Sequence, residues 1–556
     1  MILEHIAISG FRGISQLSLP LEQGNVLIGE NTWGKSSLLD ALTLLLSPTE
    51  TLYQFVPSDF HTLSGEAGER LQHLYVEFTF RESDSGEVHT PRLLPLSSLW
   101  HQRAKDHPQL LLRAEGTLLE AQSVNTRWYF PLAEETSFSA AGQTPLAAVL
   151  IRLQPVLRLR DARFSQRMAT KADNTTSDRQ LSTLVSQIDE LTRDLVSQPQ
   201  KLTHPAIRQG LLTMQQLIEH YFSVQPSVLS ATAQRSHPSR RQSQKGWRYL
   251  DSLNHLIAAA DSQSRQLILL RMFALLIQAK GMYQLDPLAR PLLLIEDPET
   301  RLHPIMLSVA WGLLNLLPLQ KITTTNSGEL LSQVPVGDVC RLIRQENGVA
   351  AWRLGPSGMN ADDSRRIAFH ICVNRPSALF ARCWLLVEGE TEVWVMNELA
   401  QQCGCHFAAE GIKVVEFAQS GLKPLIKFAQ RMGIKWHVLT DGDEAGNKYA
   451  ATVKSQLPGT KDERVHLTQL PALDMEHFLY RQGFADVYHR IARLPEKVPM
   501  NVRRIIAKVI QHSSKPELAV AVATEAAERG TASVPPLLRE MFHRVQGLAR
   551  QNGESF

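Results

Sequence analysis

A chain of 556 residues, 43% hydrophobic and 20% charged, has the composition of a globular protein with about three or four domains. Its longest apolar run, Leu267 to Ile277, is broken by Arg271 and is too short for a bilayer, which argues against a membrane protein. A net charge of +3 neither demands nor forbids nucleic acid, because local patches matter more than the sum. The opening Met1-Ile2-Leu3-Glu4-His5 lacks the basic start and apolar stretch of a signal peptide, so a cytoplasmic location is expected. The five cysteines agree with that. Cys340, Cys372 and Cys383 are isolated and Cys403-Gly404-Cys405 has no second half, so they read as thiols rather than a zinc site.

Ile2, Ile6 and Ile8 lead into Phe11-Arg12-Gly13 and predict strands beside a nucleotide pocket. The apolar Val26-Leu27-Ile28 then runs into Gly29-Glu30-Asn31-Thr32-Trp33-Gly34-Lys35-Ser36-Ser37, which fills every fixed position of G-x-x-x-x-G-K-[ST]. Ser36 to Leu46, rich in Leu and Ala, predicts the helix that must follow. In such a loop the glycines let backbone amides curl around the phosphates of ATP, Lys35 supplies a point charge, and Ser36 a hydroxyl for Mg²⁺. Leu74 to Phe80, Leu110 to Ala114 and Val124 to Phe130 predict an antiparallel lobe. From Ser177 to Tyr221 apolar residues recur every three or four positions, which predicts a helical hairpin broken near Pro199 and Pro205. Its apolar stripe needs a partner, in the same domain or in a second copy. Thr232 to Arg248 carries Arg235, Arg240, Arg241, Lys245 and Arg248 with no acid, a mobile basic loop suited to phosphate contact or to a solvated linker. A long helix is expected from Tyr249 to Ala279. Pro291-Leu292-Leu293-Leu294-Ile295-Glu296-Asp297-Pro298-Glu299 is an apolar strand ending in adjacent acids, the Walker B pattern. There Glu296 would hold the Mg²⁺ shell and Asp297 would polarise the attacking water. Lys321 to Thr325 ends in Asn326, whose side chain is placed to sense a γ-phosphate.

Gly355-Pro356-Ser357-Gly358 marks a boundary. Beyond it, Trp384-Leu385-Leu386-Val387 predicts a buried strand ending in Glu388-Gly389-Glu390-Thr391-Glu392. Trp436 to Thr440 predicts a second, ending in Asp441-Gly442-Asp443. Ile412 to Phe417 and Leu422 to Arg431 lie between them and complete a small parallel α/β sheet. Its acidic strand ends should meet at one edge, where carboxylates need a hard cation such as Mg²⁺ or Mn²⁺.

These residues resemble the ABC-type ATPases of the RecF, SMC and OLD (overcoming lysogenization defect) kind. Phe11-Arg12-Gly13 is similar to their N-terminal arginine motif, and Ile295 to Pro304 resembles the OLD pattern of two acids, Pro-Glu and Leu-His-Pro. The resemblance implies that a signature helix of one subunit completes the ATP site of the other, with Ser262 and Ser264 as the matching residues. Asn326 stands where a histidine is usual, Asp297 where a glutamate is commoner, and Trp33 where the side chain is small; these departures bear on the rate of hydrolysis. The second half resembles a Toprim domain: Glu388, Asp441 and Asp443 match its signature, and Glu392 matches the extra glutamate of the OLD version. Asp474-Met475-Glu476 and Lys515 correspond to a later acidic motif and a family lysine. The implied fold is α/β: an ABC-type P-loop ATPase domain (1–165 and 249–355) with an inserted helical segment (166–248), a linker (356–382), and a Toprim domain with a C-terminal helical extension (383–556). The implied activity is that of an ATP-binding, Mg²⁺- or Mn²⁺-dependent DNA endonuclease. It would act as a homodimer, in phage defence or repair, with a helicase-like protein as a candidate partner. A non-nucleolytic ATP-driven DNA clamp with a Toprim docking module is the alternative. A strand-joining or priming enzyme lacks its tyrosine domain or zinc motif here.

Overall fold

The computed structural model describes residues 1–31, 33–49, 51–62, 70–101, 107–119, 123–131, 140–159, 286, 288–300, 304–316, 319–345, 347–355, 358–457, 463–495 and 500–550. Thr32, the expected helical insertion, the basic Thr232 to Arg248 segment, Ser262 and Ser264 lie outside the described residues. The chain divides into two compact units, Met1–Leu330 with Asn347–Ala351, and Leu331–Glu346 with Trp352–Phe556.

In the first unit β1 (Ile2–Phe11) lies antiparallel to both β2 (Ile14–Pro20) and β4 (His73–Arg81), and the ribbon continues through β5 (Gln109–Leu118) to β6 (Val124–Tyr129). Its strands alternate because only one face is fully covered: Leu110, Leu112 and Ala114 are buried while Leu111, Arg113 and Glu115 are half-exposed. A parallel group runs β3 (Gly24–Ile28), β9 (Lys321–Thr324), β8 (Leu292–Glu296) and β7 (Val156–Leu159) side by side. Covered on both faces, β3 and β8 are continuous apolar runs, with Val26, Leu27, Ile28 and Leu292 to Ile295 all buried, while β9 buries Lys321, Thr323 and Thr324. Helix Lys35–Leu45 follows β3.

The second unit takes in β10 (Val339–Gln345) and most of the sequence after β11 (Gly348–Arg353). The stretch expected as a linker is helical over Ala361–Ile367 and on through Val373 and Pro376–Phe380, with Ile367, Ile371, Ala378 and Leu379 buried. Its polar composition belongs to a capped helix start. Asn360 accepts a hydrogen bond from the Asp363 amide, and the charges of 362–366 lie on the open face.

Then come β12 (Cys383–Val387), β13 (Ile412–Glu416), β14 (Lys435–Thr440) and β15 (Leu467–Gln469), all parallel and ordered β13, β12, β14, β15. The chain steps from β12 to one side and returns to the other, so the sheet has its topological switch between β12 and β14, where ligands of open α/β sheets bind. The C-terminal helices Val502–His512, Lys515–Arg529 and Pro536–Arg550 are part of this core and not an appendage. Val522 shares it with Val395 and Leu399, and the Phe542 ring meets Phe407 edge-on at 5.5 Å.

Candidate functional site

Gly29 (φ 150°) and Gly34 (φ 86°) carry the chain from β3 into helix Lys35–Leu45. A Cβ on Gly34 would stand 3.0 Å from Ile14 Cγ1 in a left-handed backbone, so glycine is required there twice over. Gly34 brings no side-chain cap, which keeps the opening of the helix suited to an anion. Lys35 is buried, and its Nζ donates to Asn326 Oδ1 at 3.0 Å. Burial lowers the Lys35 pKa, and Asp297 and Glu299 oppose that shift. Ser36 and Asn31 are exposed; Ser37 Oγ accepts the Gly13 amide at 3.2 Å, joining the loop to the Phe11-Arg12-Gly13 turn. Trp33 is 4% exposed and its amide donates to Glu30 O at 3.1 Å, so its bulk is taken up by the core.

The two acids that end β8 diverge. Glu296 pairs with Arg158 at 2.9 Å, Arg158 with Asp40 at 2.6 Å, Asp40 with Arg12 at 2.6 Å, and Arg12 with buried Asp59 at 2.9 Å. The expected Mg²⁺-shell acid and the expected nucleotide-side arginine thus belong to one ion-pair relay. Asp297, in a left-handed backbone (φ 40°), accepts from Thr324 Oγ1 at 3.0 Å. Glu299 accepts the Asn326 amide at 2.6 Å and Thr325 Oγ1 at 2.9 Å. Sequence reasoning assigned Glu299 no role, although it stands within the Asp-Pro-Glu motif.

In the second unit Glu388 follows β12 and Asp441 follows β14, at the carboxyl ends of the two strands flanking the switch. Two close backbone approaches shape the Asp441-Gly442-Asp443 turn. The Gly442 amide donates to Ala472 O at 2.9 Å, and a Cβ on Gly442 would lie 2.3 Å from that oxygen. A Cβ on Gly446 would lie 2.0 Å from Asp441 O. Asp443 caps helix Glu444–Gln456, its Oδ1 accepting the Gly446 amide at 2.7 Å. Glu392, in the first turn of helix Glu390–Gln402, accepts the Gly389 amide at 3.0 Å. Asp474 caps helix Met475–Leu479 through the His477 amide at 2.7 Å, and Glu476 pairs with Lys515 at 2.9 Å.

The acids act on one another. Burial first, then Glu392, Glu388, Asp474 and Glu476, push the Asp441 pKa up to about 8. Burial and the charges of Asp443 and Glu392 raise Glu388, and burial and Glu476 raise Glu392; Lys515 opposes both shifts. Tyr449, on helix Glu444–Gln456, carries no sequence signal, yet its hydroxyl feels Glu388 and Asp443 while its ring meets Phe417 edge-on at 4.8 Å. Among the described residues no three His, Cys, Asp or Glu side chains are drawn together into a ready-made cation cage. The donor set itself suits a hard divalent cation: it is all carboxylate oxygen, and burial together with the neighbouring acids makes its charge costly without a cation. Tyr488 Oη and Thr440 Oγ1 are buried with no hydrogen-bond partner among the described residues. The thiols stay apart: Cys340, Cys372, Cys383 and Cys405 are buried and all five are free.

Residues 1–378 match the family described as protein of unknown function (DUF2813), and residues 379–443 match the Toprim domain of overcoming lysogenization defect protein-like chains. The chain is 58% identical over 554 residues to the uncharacterized protein YbjD of Escherichia coli (strain K12), covering 99% of each. Solved structures with lower similarity include the C-terminal region of the Burkholderia pseudomallei OLD protein (17% identity, TM-score 0.27, covering 31% of this chain and 99% of that one). The SMC head domain from Thermotoga maritima is another (12% identity, TM-score 0.29, covering 64% and 100%). The chain belongs to the family of DUF2813 proteins and is an OLD-family protein, an ATPase-like unit followed by an OLD-like Toprim domain.

Proposed function

We propose that the protein is an ATP-binding, divalent-metal-dependent DNA endonuclease of the OLD type that acts as a homodimer. One observation carries this reading: acids gathered at the switch point of a parallel sheet, where burial first and the neighbouring carboxylates second raise the Asp441 pKa to about 8. Glu388, Glu392, Asp441 and Asp443 would hold one or two Mg²⁺ or Mn²⁺ ions, with Lys515 screening the cluster through Glu476. Such ions, when bound, supply an activated water and charge stabilisation for the leaving oxygen of a phosphodiester. Asp441 must release its proton to bind, and Asp443 keeps one oxygen on the Gly446 amide and Glu392 one on the Gly389 amide, which fixes where the others point. In the first unit Lys35 would leave Asn326 for the β- and γ-phosphates, Ser36 would ligate the nucleotide's Mg²⁺, and Glu299 would keep the Asn326 backbone in place. Asp297 is the acid near Lys35 that would orient water, while Glu296 and Arg12 steady the loop through Arg158 and Asp40. DNA is the proposed substrate, a helicase-like protein a candidate partner, and phage defence or repair the setting.

A second reading is an ATP-driven DNA clamp without nuclease activity. It is favoured by the helix-capping duty of Asp443 and Glu392 and by the lack of a ready-made cage among the described residues. Supercoiled plasmid separates the two. The parent should nick it only with Mg²⁺ or Mn²⁺, and Asp441→Asn should lower the rate by about a hundredfold or more. Plasmid left intact by the parent under every metal favours the clamp.

A further inference from the structure

Helix Val502–His512 buries Ile505, Ile506 and Val509 in the core of the second unit and packs against helix Met475–Leu479, which carries Glu476 of the acid cluster. Its other side is basic. Arg504, Lys508 and His512 follow one another at intervals of four and so form one stripe, with Arg503 beside it. Arg503, Arg504 and His512 are exposed and Lys508 is half-buried. From Met500 to Pro516 the sequence has no acid at all. No ion pair joins Arg503, Arg504 or Lys508 to any described residue, whereas Arg490, Arg529 and Arg544 of the same unit are all paired with glutamates. The helix ends three residues before Lys515, whose ammonium lies 2.9 Å from Glu476. A cationic face with no ion pair among the described residues therefore lies on a helix that packs, within the same core, against the helix carrying Glu476.

A solvated surface helix usually mixes both signs of charge, because unrelieved like charge repels itself. Three cations with no ion pair among the described residues, on a helix without an acid of its own, fit a polyanion with regular charge spacing, and a duplex backbone supplies one phosphate per about 1.7 Å of axis. We propose that the Arg503–Arg504–Lys508 face of helix Val502–His512 is a nucleic-acid backbone track that delivers double-stranded DNA to the carboxylate edge of the Toprim unit. The inference rests on the nuclease reading only for its destination, since binding can be measured without cleavage.

The test is the salt dependence of binding. Full-length protein in EDTA is titrated into a fluorescent 30-base-pair duplex at several NaCl concentrations. In the variant Arg503→Ser, Arg504→Ser, Lys508→Ser the slope of log affinity against log salt should become shallower by about 2 to 3, and affinity near 0.1 M salt should fall by roughly 10- to 100-fold. Arg503→Lys with Arg504→Lys should keep the parental slope. If the triple variant melts early, Arg504→Ser alone should flatten the slope by about one. An unchanged slope in a folded variant makes the face a plain solvated surface and overturns the proposal. So does a parent that binds phosphatidylglycerol vesicles through these residues and ignores duplex DNA. A parent that binds DNA through this face but never nicks it leaves the track standing and removes the nuclease reading instead.

Discussion

Asp441 ties protonation to folding. Its ordinary carboxyl value of 3.8 is raised to about 8 in the fold, so between those limits the folded protein binds more protons at this group than the unfolded chain does. Stability supplied by such a group is greatest below the unfolded value and is lost as pH rises towards the folded one. Glu388 and Glu392 are raised as well and act with the same sign. Metal-free protein should therefore melt at progressively lower temperature between pH 5 and pH 8.5. Asp441→Asn should flatten that decline, and Mg²⁺ should restore the melting temperature most at the alkaline end. A melting temperature that rises with pH in EDTA would show that the acids do not strain the fold. The identity of Asp441 as an acid at a strand end was legible in the sequence. Its neighbours were less so: the effect of Glu476 on Glu392 comes from a helix more than eighty residues away, a proximity that no local pattern encodes. Glu299 and Tyr449 escaped for the same reason, since their partners, Asn326 and Phe417, are brought to them by the sheets.

At the scale of elements, the strands were readable because burial imposes a period, alternating in the antiparallel ribbon and continuous in the parallel sheets. The helices Ala361–Ile367 and Pro376–Phe380 were missed because a capped helix with a charged first turn has the composition of a linker. Glycines show which turns are obligatory. Gly442→Ala should destabilise the second unit by about 3 kcal/mol, since its Cβ meets Ala472 O at 2.3 Å and that oxygen already holds the Gly442 amide. Gly547→Ala, within helix Pro536–Arg550 and with nothing near its Cβ, should instead stabilise by up to about 1 kcal/mol. Urea unfolding of both variants provides the check. Equal midpoints would mean that the Asp441 turn tolerates a side chain, and that its geometry is not what places the acids.

At the scale of the whole molecule, the two sites draw on different residues. Lys35, Asp297, Glu299 and Asn326 belong to the first unit, whereas Glu388, Glu392, Asp441, Asp443 and Lys515 belong to the second, so the two chemistries should be separable by mutation. The Lys35 ammonium is buried, and in the proposed nucleotide site its charge is the one the loop itself would supply for the β- and γ-phosphates. Lys35→Ala should weaken ATP binding by more than about a hundredfold while part of the Mn²⁺-dependent nicking persists. Asp441→Asn should do the reverse, abolishing nicking with ATP affinity held within about twofold. Loss of structure cannot imitate the second result, because replacing a raised-pKa carboxyl with an amide relieves repulsion and should raise the metal-free melting temperature at pH 8. Two results would overturn the assignments independently. Unchanged ATP affinity in Lys35→Ala removes the phosphate-loop reading, and undiminished nicking by Asp441→Asn removes the nuclease, leaving a nucleotide-driven DNA clamp as the function of the two units.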